Sequence, residues 1–220
     1  MEAYRILIID DHPLVRSGIQ AMLQLDEDLQ VCGEAEDIQS AMRAIGELDP
    51  DLALVDISLK GGESGLELIK NIRQKHPDLK TLAVSMHDEE TYALRALKAG
   101  AQGYVMKQEG TEKIREAIRC VLDGRTYLSQ AMTQTAVDQL GAGGIPRDSS
   151  PASVLSDREL ELFELTGQGR EIAEIARIMN ISPRTVEVHR SHIKKKLGLK
   201  TSTEIFQCAY EWLRERGMKP

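Results

Sequence analysis

Five polar side chains that could do chemistry together each follow a short apolar run, namely Asp10, Asp11, Asp56, Ser85 and Lys107. Three carboxylates that lie close together repel each other unless a cation lies among them. Mg²⁺ is such a cation, since it prefers oxygen ligands. An aspartate can also attack phosphorus to give an aspartyl phosphate, whose oxygens a hydroxyl and an ammonium could then bind. These residue types therefore indicate a pocket that handles a cation and a phosphoryl group.

Alternating strand and helix patterns in the first half of the chain would position these residues. Strands are predicted at Ile6–Ile9, Leu52–Val55, Leu82–Val84 and Tyr104–Met106, with a weaker one at Val31–Ala35. Helices are predicted at Leu14–Leu25, Ile38–Leu48, Gly65–Ile72, Glu90–Lys98 and Glu112–Leu122. This order predicts an α/β doubly wound, flavodoxin-like domain with a five-stranded parallel sheet. Because the carboxyl ends of parallel strands share one rim, the five side chains are expected to converge there.

Composition excludes several classes of protein. No apolar run reaches the ~18 residues of a membrane span. Asp10 and Asp11 interrupt the N-terminal apolar run where a secretory signal would continue, so we expect no export. The three cysteines, Cys32, Cys120 and Cys208, are far apart, which favours neither a disulfide framework nor a zinc site. We therefore expect a cytoplasmic protein with reduced thiols.

The charges are unevenly distributed along the chain. The net charge is −7, but residues 1–130 hold 15 basic and 23 acidic side chains, whereas residues 151–220 hold 12 basic and 10 acidic. Within the second part, residues 177–200 carry seven Lys or Arg against the single Glu187. An acidic protein with one basic segment can still bind nucleic acid through that segment.

A change in amino-acid composition marks the domain boundary. The stretch GAGGIPRDSSPAS is rich in Gly, Ser and Pro and lacks periodicity, as is typical of a linker. We predict a first domain over residues 1–124, a linker over 125–150 with room for a short helix at Ser129–Leu140, and a small all-α domain over 151–220.

The second domain contains a predicted helix-turn-helix at 171–179 and 183–196. In the second helix, Val186, Ile193 and Leu197 share an inward face. Eight other residues are candidates for contact with DNA: Arg184, Thr185, Glu187, Val188, Arg190, Ser191, Lys194 and Lys195. Basic side chains there would contact phosphates, Glu187 could accept from a cytosine amino group, and Val188 could contact a thymine methyl. Two such helices are also compatible with an ordinary helical bundle. A run of lysines is also compatible with a solvated helix face.

The motifs IIDDHP, LVDISLKGGESGLE, LAVSMHD and GAQGYVMK closely resemble the receiver domain of two-component response regulators over about residues 4–122. The resemblance implies that Asp56 accepts a phosphoryl group and that Asp10, Asp11 and the backbone carbonyl of Ser58 hold Mg²⁺, or Mn²⁺ in its place. It also implies that Ser85 and Tyr104 form a switch pair, in which the Tyr104 ring moves inward on phosphorylation. Lys107 would contact the phosphoryl group. Ser58 and His87 would tune how fast the acyl phosphate is hydrolysed. Gln108 is a departure, since many receivers have proline there.

Each of these residues also has an ordinary structural interpretation. An Asp-Asp pair after a strand is common as a helix-capping turn, and Tyr104 alone would be a half-buried strand aromatic. The functional interpretation depends on the whole set, which falls at successive strand ends.

The segment LSDRELELFELTGQGREIAEIARIMNISPRTVEVHRSHIKKKLGLKTSTE resembles the LuxR-type helix-turn-helix, over about residues 151–216. With the receiver-like half, it makes the chain resemble the NarL/FixJ group of response regulators. The group implies a cognate histidine kinase, double-stranded DNA and a homodimer on DNA as partners. The dimer is expected through the last helix, 201–214, with Ile205, Ala209 and Trp212, and some of this apolar stripe must also close the core of the small domain. Relatives often have Lys or another polar residue where this chain has Glu187 and Ser191.

Two other classes of protein fit parts of the sequence. A Mg²⁺-dependent phosphatase could use Asp56 as its nucleophile, but Ser58 stands where a second aspartate is expected. Alternatively, the chain could be a receiver adaptor that binds another protein through its helical tail. An affinity for DNA that falls steeply with salt would instead indicate a transcription factor. We therefore expect a regulator whose phosphoryl group is lost slowly, and not an enzyme.

Overall fold

The computed structural model describes residues 3–59, 63–130, 132–134 and 150–216. Contacts divide the chain into two compact units, residues 1–145 and residues 146–220. The strands of the first unit are β1 (Tyr4–Ile9), β2 (Leu29–Ala35), β3 (Leu52–Val55), β4 (Lys80–Ser85) and β5 (Gly103–Met106). Its helices are α1 (Pro13–Leu23), α2 (Ile38–Leu48), α3 (Gly65–Lys75), α4 (Glu89–Ala99) and α5 (Thr111–Leu122).

The five strands form one parallel sheet in the order β2-β1-β3-β4-β5, which confirms the predicted doubly wound fold. Residues Ile6–Ile9 are all buried, because a parallel sheet with helices on both faces leaves neither face of β1 to water. Ile6 and Ile8 pack with α1 and α5 in one continuous core, together with Leu54 and Val84 of the neighbouring strands. The ends of the strands are therefore positioned by a tightly packed core.

Side-chain hydrogen bonds mark the starts of two helices of the first unit. The Asp37 side chain caps α2 in a reciprocal box with Ser40, and the Asp88 side chain accepts from the Thr91 amide at the start of α4. Pro13 occupies the first turn of α1, where its fixed φ suits the helix. The Ser64 side chain makes no capping hydrogen bond to α3.

After α5 the chain returns along the outer edge of β5. The Tyr127 amide donates to the Gln102 carbonyl at 3.0 Å, and the Tyr104 amide donates to the Tyr127 carbonyl at 3.0 Å. Residues 130 and 132–134 are helical, whereas the remainder of the helix predicted at Ser129–Leu140 lies outside the described residues, as do linker residues 131 and 135–149.

The second unit is all helical, with α6 (Pro151–Val154), α7 (Asp157–Gly167), α8 (Ile172–Ile178), α9 (Pro183–Leu197) and α10 (Ser202–Glu215). Side-chain caps lie at the starts of α7, α9 and α10, where Ser156, Ser182 and Thr201 accept hydrogen bonds from backbone amides. Gly198 ends α9 at φ 69°, a left-handed conformation that glycine adopts without strain. No helix in the part of the chain that the structure describes is long and apolar enough to span a membrane.

The core of the second unit lies between α7 and α10. The rings of Phe163 and Trp212 meet edge to face, with their centroids 5.9 Å apart. A Cβ atom on Gly167 would lie 2.8 Å from the Ala209 carbonyl oxygen, so only glycine lets the two helices approach this closely. Val186 and Ile193 of α9 are fully buried as predicted.

Candidate functional site

The rim of the sheet brings together the acidic residues and the lysine that the sequence singled out. Asp10 follows β1 and Asp56 follows β3, and both carboxylates are almost fully buried. The Lys107 Nζ atom lies 2.6 Å from Asp10 Oδ2 and 2.7 Å from Asp56 Oδ2. The lysine therefore neutralises part of the charge of two aspartates that would otherwise repel each other.

The ligand atoms of Asp10, Asp11, His12 and Asp56 all lie within 4.8 Å of one another. Among the described residues this is the one group of His, Cys, Asp and Glu with such spacing. Its three carboxylates fit the oxygen donors that Mg²⁺ and Mn²⁺ prefer. His12, whose Nδ1 atom lies 2.7 Å from Asp11 Oδ1, was missed by the sequence analysis because a histidine next to acidic residues carries no distinctive signal.

The buried charges of the pocket alter one another's protonation. Burial raises the pKa of Asp56 from 3.8 to about 6, against the attraction of Lys107, which lowers it. Burial alone would lower the pKa of Lys107, but the carboxylates of Asp56 and Asp10 outweigh it, so the pKa of Lys107 is raised. At neutral pH the pocket thus holds an ionised aspartate and a charged lysine, the states required of a nucleophile and of a group that binds phosphoryl oxygens.

A close backbone contact fixes the position of Asp56. A Cβ atom on Gly65, the first residue of α3, would lie 1.8 Å from the Asp56 carbonyl oxygen, so the position excludes every side chain. The Gly65 amide donates to the Ile57 carbonyl at 2.7 Å. The start of α3 is thereby packed directly against the backbone of the aspartate, a constraint that the sequence analysis did not identify.

The loop between β4 and α4 connects the pocket to the predicted switch aromatic. The buried Ser85 hydroxyl accepts from the His87 amide at 3.2 Å, and the Tyr104 hydroxyl donates to the His87 carbonyl at 2.8 Å. Burial raises the pKa of Tyr104 well above its ordinary value, so its hydroxyl remains protonated. The ring of Tyr104 is already fully buried in this structure, whereas the resemblance implied a ring that moves inward only on phosphorylation.

His87 also joins three elements of the first unit. Its Nε2 atom lies 2.9 Å from the Ser58 hydroxyl, and its ring stacks on Tyr92 of α4 with the centroids 4.5 Å apart. The Ser58 amide points to Asp56 Oδ1 at 3.4 Å. The structure thus brings together the two predicted tuning residues and adds Tyr92, which the sequence analysis missed because it looked like a core position of α4.

The outer face of α9 carries the predicted DNA contacts. Six of the eight candidates lie at or near the surface, namely Arg184, Glu187, Val188, Ser191, Lys194 and Lys195. Val188 is 47% exposed, so its side chain is accessible to a partner. The other two are less accessible: Thr185 hydrogen-bonds with Ser182 at the helix start, and the Arg190 side chain is only 13% exposed.

The exposed acid on α9 has a basic neighbour. Arg190 Nη1 lies 3.7 Å from Glu187 Oε1, one turn along the helix. On the inner side, Lys196 Nζ lies 2.6 Å from Glu159 Oε2 of α7. The Lys196–Glu159 pair joins α9 to α7, and Lys194 and Lys195 are further basic side chains near the end of α9.

The structure corrects the predicted dimer contacts. Ile205 and Ala209 are fully buried, and Trp212 is 7% exposed, because all three lie on the face of α10 that packs on α7. The apolar stripe of the last helix is therefore the core of its own domain. The large apolar side chains that α10 exposes are Phe206, 41% exposed, and Tyr210, 38% exposed, whose ring centroids are 6.0 Å apart.

Comparison with known families agrees with both halves of the structure. Residues 6–119 match the response regulator receiver domain, and residues 153–209 match the luxR family of bacterial regulatory proteins. The chain belongs to the two-component response regulators, as a receiver domain joined to a LuxR-type DNA-binding domain. This family consists of transcription regulators and not of classical enzymes.

Individual relatives resemble the chain over almost its whole length. The oxygen regulatory protein NreC of Staphylococcus epidermidis is 36% identical over 209 residues, which is 93% of this chain and 96% of the relative. NreC of Staphylococcus aureus is 36% identical over 208 residues, with the same coverage of both chains.

Solved structures show the same architecture. RcsB of Salmonella enterica serovar Typhimurium, bound to the promoter rprA with the phosphomimetic BeF₃⁻, is 25% identical at a TM-score of 0.61, and the match covers 95% of this chain and 99% of RcsB. A LuxR-family response regulator from Aurantimonas sp. is 33% identical at a TM-score of 0.58, over 64% of this chain and 99% of that protein.

Proposed function

We propose that this protein is a DNA-binding transcription regulator that a cognate histidine kinase activates by transferring a phosphoryl group to Asp56. The observation that carries the proposal is the buried Asp56 carboxylate, held by Lys107 in a pocket with two further aspartates. The proposed domains are residues 1–124 and 151–220, connected by residues 125–150, of which Tyr127 pairs with β5 of the first domain. A regulator of this kind works where the chromosome is, so the expected cytoplasmic location is part of the proposal.

The proposed step is a displacement at phosphorus. An oxygen of the ionised Asp56 carboxylate attacks the phosphorus of a phosphohistidine, an O–P bond forms, the N–P bond breaks, and the imidazole leaves with the bonding electron pair. Lys107 is 2.7 Å from this carboxylate and supplies positive charge to the transferred group. Ser85, at the end of the neighbouring strand, supplies a hydroxyl donor to a second phosphoryl oxygen.

Mg²⁺ fits the donor set of the pocket, and Asp10, Asp11, Asp56 and the Ser58 carbonyl would hold it. When bound, it would neutralise charge on the phosphoryl oxygens. Mn²⁺ prefers similar ligands and would occupy the same site.

The switch would act through the Tyr104 ring, which is buried and whose hydroxyl donates to the His87 carbonyl. Phosphorylation would stabilise this inward conformation. Ser58 and His87 are hydrogen-bonded to each other at 2.9 Å and would restrict the water that hydrolyses the acyl phosphate. Slow loss of the phosphoryl group is therefore expected.

The output is double-stranded DNA bound by the outer face of α9. Lys194, Lys195 and Arg184 would contact phosphates, and Glu187, Val188 and Ser191 would contact base edges. RcsB, a structural relative, has been solved as two dimers on two parallel DNAs, which supports a homodimer on DNA here. Phosphorylation would expose or dimerise the DNA-binding domain, and Phe206 and Tyr210 are its exposed apolar residues on α10.

Labelling by a small phosphodonor tests the acceptor. With Mg²⁺ and acetyl phosphate, the intact mass of the full chain should rise by one phosphoryl group, and Asp56→Asn should remove this gain. Asp78→Asn, on the exposed turn before β4, is the matched control and should label normally. Full labelling of the Asp56→Asn variant would rule out this acceptor.

Binding to DNA selected from a random pool, with and without BeF₃⁻, tests the output. Affinity should fall steeply with salt, and Lys194→Ala with Lys195→Ala should weaken binding to all sequences and reduce the salt slope by about two. Arg214→Ala removes a charge from α10 and is the control. Glu187→Ala should change the selected sequence more than the affinity. An unchanged selected sequence would remove Glu187 from the base-reading residues.

A further inference from the structure

A partly buried arginine of α1 contacts the backbone of the first acidic residue of the pocket. Arg16 is the fourth residue of α1, and its side chain is 15% exposed. Its Nη1 atom donates to the Asp10 carbonyl oxygen at 2.6 Å, and its Nε atom donates to Glu34 Oε2 at 2.7 Å. Because Glu34 belongs to β2, one guanidinium joins α1, the end of β1 and β2.

The position of Arg16 in its helix is unfavourable for a cation. The start of a helix carries the positive end of the helix dipole, where acidic side chains are stabilising and basic ones are not. The first turn of α1 contains no acidic residue that would offset the charge of the arginine. Glu34, from a different element, supplies the negative charge instead. The contacts of the guanidinium, and not helix formation, therefore favour arginine here.

The contact with Asp10 takes the place of a strand hydrogen bond. The Asp10 amide still donates to the Ala35 carbonyl of β2 at 3.0 Å, but the paired register of β1 ends at Ile9. The Asp10 carbonyl accepts from the Arg16 side chain instead. Since a peptide unit is planar, a donor that fixes this carbonyl also fixes the amide of Asp11. Arg16 thus sets the direction in which Asp11 leaves the strand.

This direction decides whether both acidic side chains can reach one cation. Consecutive residues of a strand point to opposite faces of the sheet. Asp10 and Asp11 are consecutive, yet their carboxylates lie in one cluster with Asp56. The chain must therefore turn between Asp10 and Asp11, and the peptide plane at this turn is the one that Arg16 holds. The Asp10 carboxylate is fixed as well, because its Oδ1 atom accepts from the His12 amide at 2.8 Å.

We propose that Arg16 is a positioning residue for the cation of the acidic pocket, and that Glu34 orients its guanidinium. The inference rests on the cation site of the function proposed above. Arg16 contributes no ligand and acts through the backbone of Asp10. Its charge is paired with that of Glu34, so its contribution is to the geometry of the carboxylates and not to the electric field of the pocket.

The direction of the change in cation affinity separates positioning from charge. Loss of a positive charge near an acidic pocket should strengthen cation binding, whereas loss of a positioning contact should weaken it. In the full chain, Arg16→Met should lower the affinity for Mn²⁺, measured by calorimetry at neutral pH, by about 10- to 100-fold. At saturating Mg²⁺, acetyl phosphate should still label Asp56 in this variant, because the acceptor itself is unchanged.

Two conservative variants refine the test. Arg16→Lys restores the charge but lacks the planar fork that reaches two acceptors, so it should recover little of the affinity for Mn²⁺. Glu34→Gln keeps an oxygen that can accept from Arg16 and removes only the charge of the pair. This variant should lose less affinity than Arg16→Met.

Arg5 provides a matched control at the opposite end of β1 from the pocket. Its Nε and Nη2 atoms donate to the Leu48 carbonyl oxygen at 3.1 and 2.6 Å. Arg5→Met therefore removes the same charge and the same kind of contact between an arginine and a carbonyl. Both methionine variants should lower the temperature of thermal unfolding, but only Arg16→Met should change the affinity for Mn²⁺.

The positioning role is wrong if Arg16→Met binds Mn²⁺ as tightly as the wild type, or more tightly. Wild-type affinity in Arg16→Lys would exclude the role as well, whether or not Arg16→Met folds. An equal loss in Arg5→Met would show a general effect of stability. In each of these cases labelling of wild-type Asp56 leaves the proposed function standing. A wild type that binds no Mn²⁺ also overturns the role, and the proposed function fails with it only if acetyl phosphate adds no mass.

Discussion

Asp56→Asn should stabilise the first unit at neutral pH, because ionised Asp56 is costly where it lies. The pKa of this carboxyl is about 6 in the folded chain against an ordinary 3.8, so the fold favours its neutral form. The stability that comes from this preference is present below pH 3.8 and is lost as pH rises through 6. The difference corresponds to an upper bound of about 3 kcal/mol at pH 7.5, which asparagine recovers since it carries no charge.

The pH dependence of this effect is a sharper test than its size. Between pH 7.5 and pH 5 the wild type regains about 1 kcal/mol by binding a proton at Asp56, so its deficit in the free energy of unfolding relative to Asp56→Asn should narrow by that amount. We would measure urea unfolding in EDTA by pulsed hydrogen exchange of β3 and β4 peptides. Trp212, the single tryptophan, lies in the second unit, and its fluorescence should be the same in both chains.

Asp78→Asn, which removes an exposed aspartate, is the control and should change stability by less than about 0.5 kcal/mol. If Asp56→Asn is no more stable than the wild type at pH 7.5, or if its advantage is the same at pH 5, then burial of this carboxylate is not costly and the reasoning fails.

Three further predictions test other features of the structure. Cation affinity, measured by calorimetry with Mn²⁺, should fall about tenfold from pH 7.5 to pH 5 because protons compete at Asp56, and a flat pH profile would contradict this. Gly65→Ala should lower the free energy of unfolding by about 3 kcal/mol or more, since its Cβ would meet the Asp56 carbonyl, whereas Gly46→Ala, in open space on α2, should be neutral or stabilising in the same urea titration. Trp212→Ala should destabilise the second unit by about 3–5 kcal/mol and Phe206→Ala by less than about 1 kcal/mol in thermal unfolding, and equal effects would show that Trp212 is not in the core.

The sheet and the pocket were predictable because their sequence signals are local. A parallel strand buried on both faces is an unbroken apolar run, and Ile6–Ile9 is such a run. The residue at each strand end could then be named from the sequence, and parallel geometry brings Asp10, Asp56 and Lys107 to one rim.

The errors and omissions arise where a residue's role depends on contacts distant in sequence. Trp212 and Ala209 form an apolar stripe that a sequence cannot assign to a core or to an interface, and only the packing of α10 on α7 decides it. The Tyr92 stack on His87 has no signal in the sequence of α4. Tyr127 lies in a segment predicted as linker, yet it pairs with β5 through backbone atoms, which carry no residue-type signature.

The pairing of Tyr127 with β5 also protects an open sheet edge. β5 is the last strand of the sheet, and its outward backbone groups would otherwise be free to pair with a strand of another molecule. Loss of this pairing would expose the Gln102 carbonyl and the Tyr104 amide to other copies of the chain. Self-association by strand pairing would then rise with concentration, so the segment after α5 also protects the folded chain from edge-to-edge association.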